Sequence, residues 1–293
     1  MANKSSHILV TGADGFIGNH AIRFFAELGH KVTALSRSVP ASPDQYESVD
    51  WLESDLSGTA LRLPSELDFI VHAAGRSPYH GGEEADFMRD NIEGTLRLAE
   101  AAIDVGCQKM IFLSGISVYG PVLTDCVDEG TTTAPVESYG HSKLAAEQLL
   151  NSSSDRLHSL ILRLPGIVGA GAHSPWIARC RTALKQGETI TAYNPNAPFN
   201  NILHIDDLLI FVERCFHEYI NKTDVLTLAS RDPVPIIDIL DNVLNATGKT
   251  GAVVFSENNA KSFTISIRKA CKEYGFAPMT TMETVRRFLN LNH

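Results

Sequence analysis

The feature that most constrains the fold of this chain is a glycine-rich turn between an apolar segment and a helical one. His7-Ile8-Leu9-Val10-Thr11 is a short, mostly apolar run that predicts a buried strand. Glycines follow at positions 12, 15 and 18, and residues 19–28 show helical periodicity. Glycine lets a backbone turn tightly and approach a pyrophosphate, and the N-terminus of the next helix offers free N–H groups. We therefore predict a dinucleotide site at Gly12, Gly15, Phe16, Ile17 and Gly18, the alternative being a turn that holds no ligand.

Strand patterns and helix patterns alternate through the first half of the chain. This alternation predicts an α/β fold with a Rossmann-type, doubly wound parallel sheet. After Pro165 the segments shorten and are interrupted by glycines and prolines, which predicts a smaller, mostly C-terminal substrate lobe. We expect a dinucleotide-binding domain over residues 1–165, with residues 199–230 partly returning to it, and the smaller lobe over residues 166–293.

Charge and cysteine content argue against several other classes of protein. The chain has 293 residues and a net charge of −9 at pH 7, which disfavours broad binding to nucleic acid or to anionic membranes. It contains no apolar stretch long enough to span a bilayer, and no signal-peptide h-region precedes the first strand. The five cysteines are scattered without a C-x-x-C pair. We expect reduced thiols in a cytoplasmic protein, and no metal site.

The end of the second predicted strand bears on the choice of cofactor. NAD sites usually place an acidic residue there to bind the ribose 2′-hydroxyl, whereas NADP sites place an arginine nearby. This chain has Ser36-Arg37-Ser38 and no acid at that point. We therefore favour NADP over NAD, with Arg37 as the 2′-phosphate ligand; a merely solvated Arg37 is the alternative.

A tyrosine and a lysine four residues apart suggest proton-transfer chemistry. Tyr139 and Lys143 stand at the start of a segment rich in helix formers, and residues four apart share a helix face. An ammonium group near a phenol favours its ionised form and lowers its pKa. Such a tyrosine suits a general acid or base, although the same spacing is common on ordinary helix surfaces.

The order and spacing of several motifs together resemble the extended short-chain dehydrogenase/reductases, in particular the NAD(P)-dependent nucleotide-sugar epimerase and dehydratase family. The match runs nearly end to end, and any one motif alone is weak evidence. The motifs lie at residues 11–18, 55–56, 72–75, 91–95, 117–120, 139–143, 204–208 and 274–278.

The resemblance implies a role for each matching residue. Tyr139 would be the catalytic acid or base, and Lys143 would hold the nicotinamide ribose. The adenine would be bounded by Asp55 and Leu56. The turn Ala73-Ala74-Gly75 would pass near the pyrophosphate and ribose, and Pro165 would lie near the nicotinamide. Family members often form homodimers through helices that include the one carrying this tyrosine.

The chain departs from the family pattern where a catalytic hydroxyl is usual. The family has Ser or Thr four residues before the tyrosine of Val-Tyr-Gly, and this chain has Gly115 there. Ser114 or Ser117 would have to replace that hydroxyl, and we rank Ser114 slightly first. The dehydratases of the family carry an Asp-Glu pair at the next two positions, where this chain has Ile116 and Ser117. Because elimination of water needs an acid and a base, 4,6-dehydratase activity is disfavoured.

A second departure concerns the substrate. Many nucleotide-sugar members have Arg-Asp-Tyr where this chain has Asn200-Asn201-Ile202, so a diphosphate-binding arginine is missing. We consider Arg179, Arg181 and Arg268 as replacements, or as plain surface charges.

Three hypotheses follow, in order of preference. The first is an NAD(P)-dependent oxidoreductase or epimerase acting on a sugar, most simply a nucleotide sugar. The second is an NADPH-dependent ketone or aldehyde reductase on a non-sugar substrate, which Asn200 favours. The third is a non-catalytic NADP-binding regulatory protein, which Gly115 favours and the Tyr139–Lys143 pair opposes.

Overall fold

The computed structural model describes residues 5–39, 48–58, 61–218, 220–256 and 262–290. A seven-stranded sheet forms its centre. The strands of this sheet are β1 (His7–Thr11), β2 (Lys31–Ser36), β3 (Val49–Glu53), β4 (Phe69–His72), β5 (Lys109–Gly115), β7 (His158–Leu164) and β12 (Asp224–Thr227). The strand order is β12-β7-β5-β4-β1-β2-β3. The α/β, Rossmann-type fold predicted from the sequence is thereby confirmed.

Helices connect these strands. They are α1 (Phe16–Glu27), α2 (Glu84–Phe87), α3 (Gly94–Asp104), α4 (Ser138–Ser152) and α6 (Ile205–Glu218), with 3₁₀ turns at Pro78–His80 and Ile116–Tyr119. In the part of the chain that the structure describes, no helix has the length and apolarity needed to cross a membrane.

The remaining elements are short strands and helices, all but β6 in the C-terminal half of the chain. The strands are β6 (Cys126–Val127), β8 (Gly166–Val168), β9 (Thr189–Tyr193), β10 (Pro198–Phe199), β11 (Ile202–His204), β13 (Val234–Pro235), β14 (Ala252–Ser256) and β15 (Thr264–Ile265). They pair in four two-stranded sheets. The helices are α5 (Trp176–Lys185), α7 (Ile236–Ala246), α8 (Arg268–Tyr274) and α9 (Thr281–Leu289).

The strand order reverses beside β1. From β1 the chain proceeds outward to β2 and β3, which pair in parallel on one side. It then crosses to β4 and β5, which continue in parallel on the other side of β1. In open α/β sheets the crevice at the carboxyl ends of the strands, at such a reversal, is where ligands bind.

A π-helical turn interrupts the helical segment between β4 and β5. A short α2 passes into a π-turn at Met88–Glu93 and then into α3. The π-turn carries Asn91, whose side-chain amide donates to the Arg76 carbonyl oxygen at 3.1 Å and to Ser142 Oγ at 2.8 Å. Asn91 Oδ1 also accepts a hydrogen bond from the Arg76 amide at 2.6 Å. The turn therefore links the segment after β4 to helix α4.

The described chain comprises two compact units. The first contains Met1–Gly120, Thr133–Arg163 and Val212–Val225, and the second contains Pro121–Thr132, Leu164–Phe211 and Leu226–His293. The division near residue 165 that we predict, and the role of substrate lobe for the C-terminal part, stay predictions.

Candidate active site

The glycine turn after β1 is packed so closely that side chains are excluded. Gly12 has φ +66°, and a Cβ placed there would lie 2.8 Å from both Cα and N of Ala74. A Cβ on Gly18 would lie 2.0 Å from the carbonyl oxygen of Gly12. Only glycine tolerates such contacts, so the turn brings bare backbone to the N-terminus of α1. This is the shape that a pyrophosphate needs, and the residues present fit a dinucleotide.

A cavity of about 320 Å³ opens at this turn. Eight of the cofactor residues expected from the sequence line it, namely Gly12, Gly15, Arg37, Asp55, Leu56, Ala73, Ala74 and Gly75. The other expected residues do not line it. They are Phe16, Ile17 and Gly18 in α1, Lys143 in α4, and Pro165, which is buried between β7 and β8.

Sequence reasoning did not assign several lining residues. These are Asp14, Leu35, Ser36, Ser54, Ser57, Arg76 and Asp90. Ser57 supports Asp55, whose Oδ1 accepts from Ser57 N at 2.9 Å and from Ser57 Oγ at 2.8 Å. These hydrogen bonds hold the pKa of the Asp55 carboxyl below its ordinary value. The position of Arg76, directly after the small turn at 73–75, was a signal that could have been used.

A one-way chain of hydrogen bonds supports the turn after β4. Thr95 Oγ1 donates to the carbonyl oxygen of Asn91 at 2.6 Å, so its oxygen accepts from His72 Nε2–H at 2.9 Å. His72 Nδ1 must then accept from the Thr11 hydroxyl at 2.8 Å, and Thr11 Oγ1 accepts from the Ala74 amide at 3.1 Å. Burial, followed by the charge on Lys143, lowers the pKa of His72 to about 3, so the imidazole is neutral.

Tyr139 and Lys143 lie on the first two turns of α4. The ammonium of Lys143 is buried, donates to the Leu113 carbonyl oxygen at 2.8 Å and lies 4.6 Å from the centre of the Phe112 ring. Burial lowers the pKa of Lys143 to about 8, although Glu147 opposes the shift. The lowering of the Tyr139 pKa expected from the sequence is not found. Loss of water around its hydroxyl, with a contribution from Tyr79, raises that pKa to about 12.

The two serines flanking Gly115 have different surroundings. Ser114 is buried, and its hydroxyl donates to Glu147 Oε1 at 2.5 Å. The same carboxylate receives the Arg163 guanidinium, with Nη2 at 2.7 Å from Oε2, and Arg163 Nη1 donates to the Tyr119 hydroxyl at 3.0 Å. Ser114 is therefore one member of a satisfied buried network.

Ser117 has no such partner. Its Oγ is buried and makes no hydrogen bond to any residue that the structure describes. Its carbonyl oxygen lies 2.7 Å from the position that a Cβ on Gly140 would take, so the Ser117 backbone packs beside Tyr139 on α4. A buried hydroxyl without a partner is costly and calls for an explanation.

In the second unit, the side chain of Asn200 is fully used within the protein. Its amide donates to the carbonyl oxygens of Ser230 at 3.1 Å and Ile265 at 2.8 Å, and its Oδ1 accepts from the Ile265 amide at 2.8 Å. Of the arginines considered as its replacement, Arg181 stacks on Phe288, with 4.3 Å between the guanidinium carbon and the ring centre. Arg179 and Arg268 are exposed.

A separate polar cluster lies at the amino end of β2. His30 Nδ1 accepts from the Ser6 amide at 3.1 Å, so Nε2 carries the proton and donates to Glu213 Oε1 at 3.1 Å. His217 Nε2 lies 3.2 Å from the same oxygen. A metal-bound histidine would donate, not accept, through its second nitrogen. We therefore interpret the cluster as an internal hydrogen-bond group.

Comparison with known proteins agrees with this geometry. The family model described as "NAD dependent epimerase/dehydratase family" matches residues 8–220. A UDP-glucose 4-epimerase of Azospirillum brasilense is 29% identical over 177 residues, which cover 57% of this chain and 50% of that protein. A D-erythronate dehydrogenase of Cupriavidus necator is 30% identical over 181 residues, which cover 55% of this chain and 55% of that protein. The chain thus spans about half the length of these curated relatives.

Among solved structures, a UDP-glucuronic acid 4-epimerase of Bacillus cereus in complex with NAD superimposes with a TM-score of 0.84. The superposition covers 97% of each chain at 22% identity. A likeness at this level of identity shows a common fold.

Proposed function

Because the chain belongs to the NAD-dependent epimerase/dehydratase family, we propose that it is a nicotinamide-dinucleotide-dependent oxidoreductase or epimerase acting on a nucleotide-linked sugar. The named relatives support two variants of this chemistry, since one is a UDP-glucose 4-epimerase and another is a D-erythronate dehydrogenase. The 4,6-dehydratase reaction stays disfavoured, because Ile116 and Ser117 provide neither acid nor base.

The observation that carries the proposal joins the Tyr139–Lys143 pair to the cavity. Lys143 Nζ lies 3.5 Å from the position that a Cβ on Gly75 would take, and Gly75 lines the cavity. A ligand held against the turn at 73–75 would therefore lie close to the ammonium of Lys143. The glycine is needed there, since Asn91 Oδ1 would be 2.9 Å from the same Cβ.

Each side chain has a proposed task. When bound, the dinucleotide supplies the acceptor or donor of hydride. Tyr139 exchanges a proton with the substrate hydroxyl or keto oxygen, and Lys143 holds the nicotinamide ribose. A serine at the end of β5, Ser114 or Ser117, donates a hydrogen bond to the same substrate oxygen, where charge changes as hydride moves.

For the cofactor we propose NADP in preference to NAD. Exposed Arg37 follows buried Ser36 in the cavity wall, and no carboxylate stands at that strand end to bind a 2′-hydroxyl. We expect Arg37→Ala to weaken NADP binding about tenfold and to leave NAD binding unchanged, since one charge-assisted contact is lost. Calorimetric titration of wild type and Arg37→Ala with NADP and with NAD measures these affinities. Equal wild-type affinities for the two cofactors would contradict it.

The reaction itself is tested by incubating the purified protein with UDP-glucose and UDP-glucuronic acid and separating the products by chromatography. An epimerase interconverts C4 epimers and keeps its cofactor, visible as reduced-nicotinamide absorbance of the purified protein after substrate is added. A reductase changes the oxidation state of the substrate and releases its cofactor. The absence of any turnover with sugars, together with reduction of simple ketones, would favour the non-sugar reductase that Asn200 suggests. The absence of all turnover would favour the regulatory protein that Gly115 suggests.

We also propose a cytoplasmic homodimer. The structure pairs none of the five cysteines in a disulfide, and reduced thiols are usual in a reducing compartment. Family resemblance suggests that the dimer forms through helices that include α4, and sedimentation velocity tests the oligomeric state.

A further inference from the structure

The charged side chains lining the cavity do not by themselves favour an anion. They are three carboxylates and two arginines, namely Asp14, Asp55, Asp90, Arg37 and Arg76. The backbone N–H groups of the glycine turn and of the α1 N-terminus attract a diphosphate, but the excess of carboxylates opposes it. One of the two arginines therefore has to compensate near the diphosphate.

The two arginines follow different strands. Arg37 comes after β2 and Arg76 comes after β4, on opposite sides of β1. Arg76 belongs to the segment that touches the glycine turn, because Ala74 is the residue that a Cβ on Gly12 would meet at 2.8 Å. Arg76 is thus the cation next to the turn that holds a diphosphate.

The side chain of Arg76 is held in place by contacts that leave part of its donor set unused. Nε donates to Asp90 Oδ2 at 2.9 Å, and Nη1 donates to the Gly81 carbonyl oxygen at 3.1 Å. Its backbone is fixed on both sides by Asn91. Nη2 makes no hydrogen bond to any residue in the described part of the chain, and 20% of the side chain is exposed. The guanidinium is therefore preorganised with free donors at the cavity wall.

Resting on the proposed function, we infer that Arg76 binds the diphosphate of the dinucleotide through its free guanidinium donors, with Asp90 acting as the positioning residue that orients it. Arginine suits this task because its planar donors match phosphate oxygens. Asp90 keeps the guanidinium oriented before the ligand arrives, so little rotamer entropy is lost on binding.

Arg89 offers a matched control. It also pairs with Asp90, at 2.8 Å from Nη2 to Oδ1, and with Asp86 at 3.1 Å. It is 47% exposed and does not line the cavity. Substituting Arg89 therefore removes the same charge from the same carboxylate without removing a cavity group.

The test is calorimetric titration of wild type, Arg76→Met, Arg76→Lys and Arg89→Met with NAD, NADP and ADP-ribose at several salt concentrations. ADP-ribose keeps the diphosphate and lacks the nicotinamide. We expect Arg76→Met to weaken all three ligands by about tenfold to a hundredfold, the usual size for a charge-assisted contact to phosphate. The salt dependence of binding should become flatter, because one screened charge pair is lost. Arg76→Lys should recover part of the affinity, and Arg89→Met should stay within about threefold of wild type.

Wild-type affinity in Arg76→Met would overturn the inference. Equal losses in Arg76→Met and Arg89→Met, with unchanged salt dependence, would also overturn it, because they would indicate a merely structural role for the Asp90 pairs. If wild type binds none of the three ligands, the proposed function fails first, and the role of Arg76 fails with it. Thermal melting of each variant separates these results from loss of fold.

Discussion

At the scale of single residues, desolvation is the main cause of the Tyr139 pKa shift, and the charge of Lys143 does not contribute to it. The ammonium of Lys143 donates to the Leu113 carbonyl oxygen, and desolvation raises the pKa of the Tyr139 phenol to about 12. The phenol is therefore protonated at neutral pH and can act as a proton donor there. The phenol can therefore ionise near neutral pH only when a bound ligand changes its desolvated surroundings.

Replacing Tyr139 by Phe should lower turnover about 10²-fold or more, the usual effect of losing a general acid or base. The phenol hydroxyl makes no hydrogen bond to the described residues, so folding and cofactor affinity should change little. Steady-state kinetics on a verified substrate, with calorimetric titration of the cofactor, measures both quantities. Wild-type turnover in the variant would show that Tyr139 is not the proton-transfer group.

We expect alanine variants of the two serines beside Gly115 to differ in turnover. The hydroxyl of Ser114 is bound to Glu147, whereas that of Ser117 is buried without a described partner, so we now propose Ser117 ahead of Ser114, which the sequence ranked slightly first. Catalytic hydrogen bonds often align only when substrate is present. We expect Ser117→Ala to lower turnover about 10²–10³-fold, as loss of an oxyanion donor does. Ser114→Ala should lower thermal stability and affect turnover less. If neither alanine variant, nor the double variant, changes turnover more than a few-fold, no serine has this role.

At the scale of elements, α4 carries the two proposed proton-transfer residues and a structural carboxylate on successive turns. Tyr139, Lys143 and Glu147 are spaced by four residues, so the proposed catalytic pair and the buried carboxylate share one helix face. Glu147 opposes the lowering of the Lys143 pKa, while His72, whose pKa is lowered in part by the ammonium, is neutral at pH 7. Arg163 pairs with Glu147 from β7. The charge of Lys143 therefore depends on Glu147.

Neutralising that carboxylate should move the alkaline limit of activity. Without the Glu147 charge, the pKa of Lys143 falls further below about 8, so the ammonium is lost at lower pH. We expect the alkaline limb of kcat/KM in Glu147→Gln to shift toward lower pH, by about one unit for each 1.4 kcal/mol of lost interaction. Glu213→Gln is the control, since it removes another buried carboxylate, at the amino end of β2. An unshifted profile in Glu147→Gln, or an equal shift in the control, would contradict the role of Glu147.

Element boundaries show where sequence reasoning succeeds. The strand before Gly12 and the strand before Ala73 were predictable, because apolar runs bounded by glycine have few alternatives. The π-turn was not, since Met88–Glu93 has the same apolar spacing as an α-helix and departs from it only through tertiary hydrogen bonds of Asn91. The bonding of Ser114 was equally hidden, because its partner Glu147 is 33 residues away.

At the scale of the whole molecule, the neutral imidazole of His72 makes folding sensitive to acid. Its pKa is about 3 in the folded protein and near 6.5 in the unfolded chain. As the pH falls, the unfolded chain therefore binds a proton at His72 at a higher pH than the folded protein does. This contribution to the free energy of unfolding is fully present above about pH 6.5 and is lost progressively as the pH falls toward 3. Urea denaturation between pH 4 and 7 should show a shallower pH dependence in His72→Asn than in wild type. Identical slopes would show that the pKa of His72 does not differ between the folded and unfolded states.

How much of the site could be predicted also depends on scale. Residues defined by backbone requirements, such as Gly12 and Gly75, were found because glycine at a strand end has a local physical cause. Arg76 was missed because its task arises from Asp90 and the glycine turn, which only the folded chain brings together. The substrate is harder still to predict. The side-chain amide of Asn200 donates its hydrogen bonds to Ser230 and Ile265 in distant segments, which the sequence does not indicate.

The π-turn changes the direction in which side chains point around the helix axis. A π-turn adds one residue to an α-helical turn, and each residue of an α-helix rotates the side-chain direction by about 100°. The residues before Met88 and those after Glu93 are therefore out of phase by about that angle relative to one continuous α-helix. Deleting a single residue between 88 and 93 would bring the two halves into one α-helical phase and turn Phe87 away from Tyr139, its ring neighbour at 6.3 Å. A one-residue deletion in this segment thus rotates one half of the helix relative to the other. The number of residues between 88 and 93 therefore determines whether Phe87 contacts Tyr139.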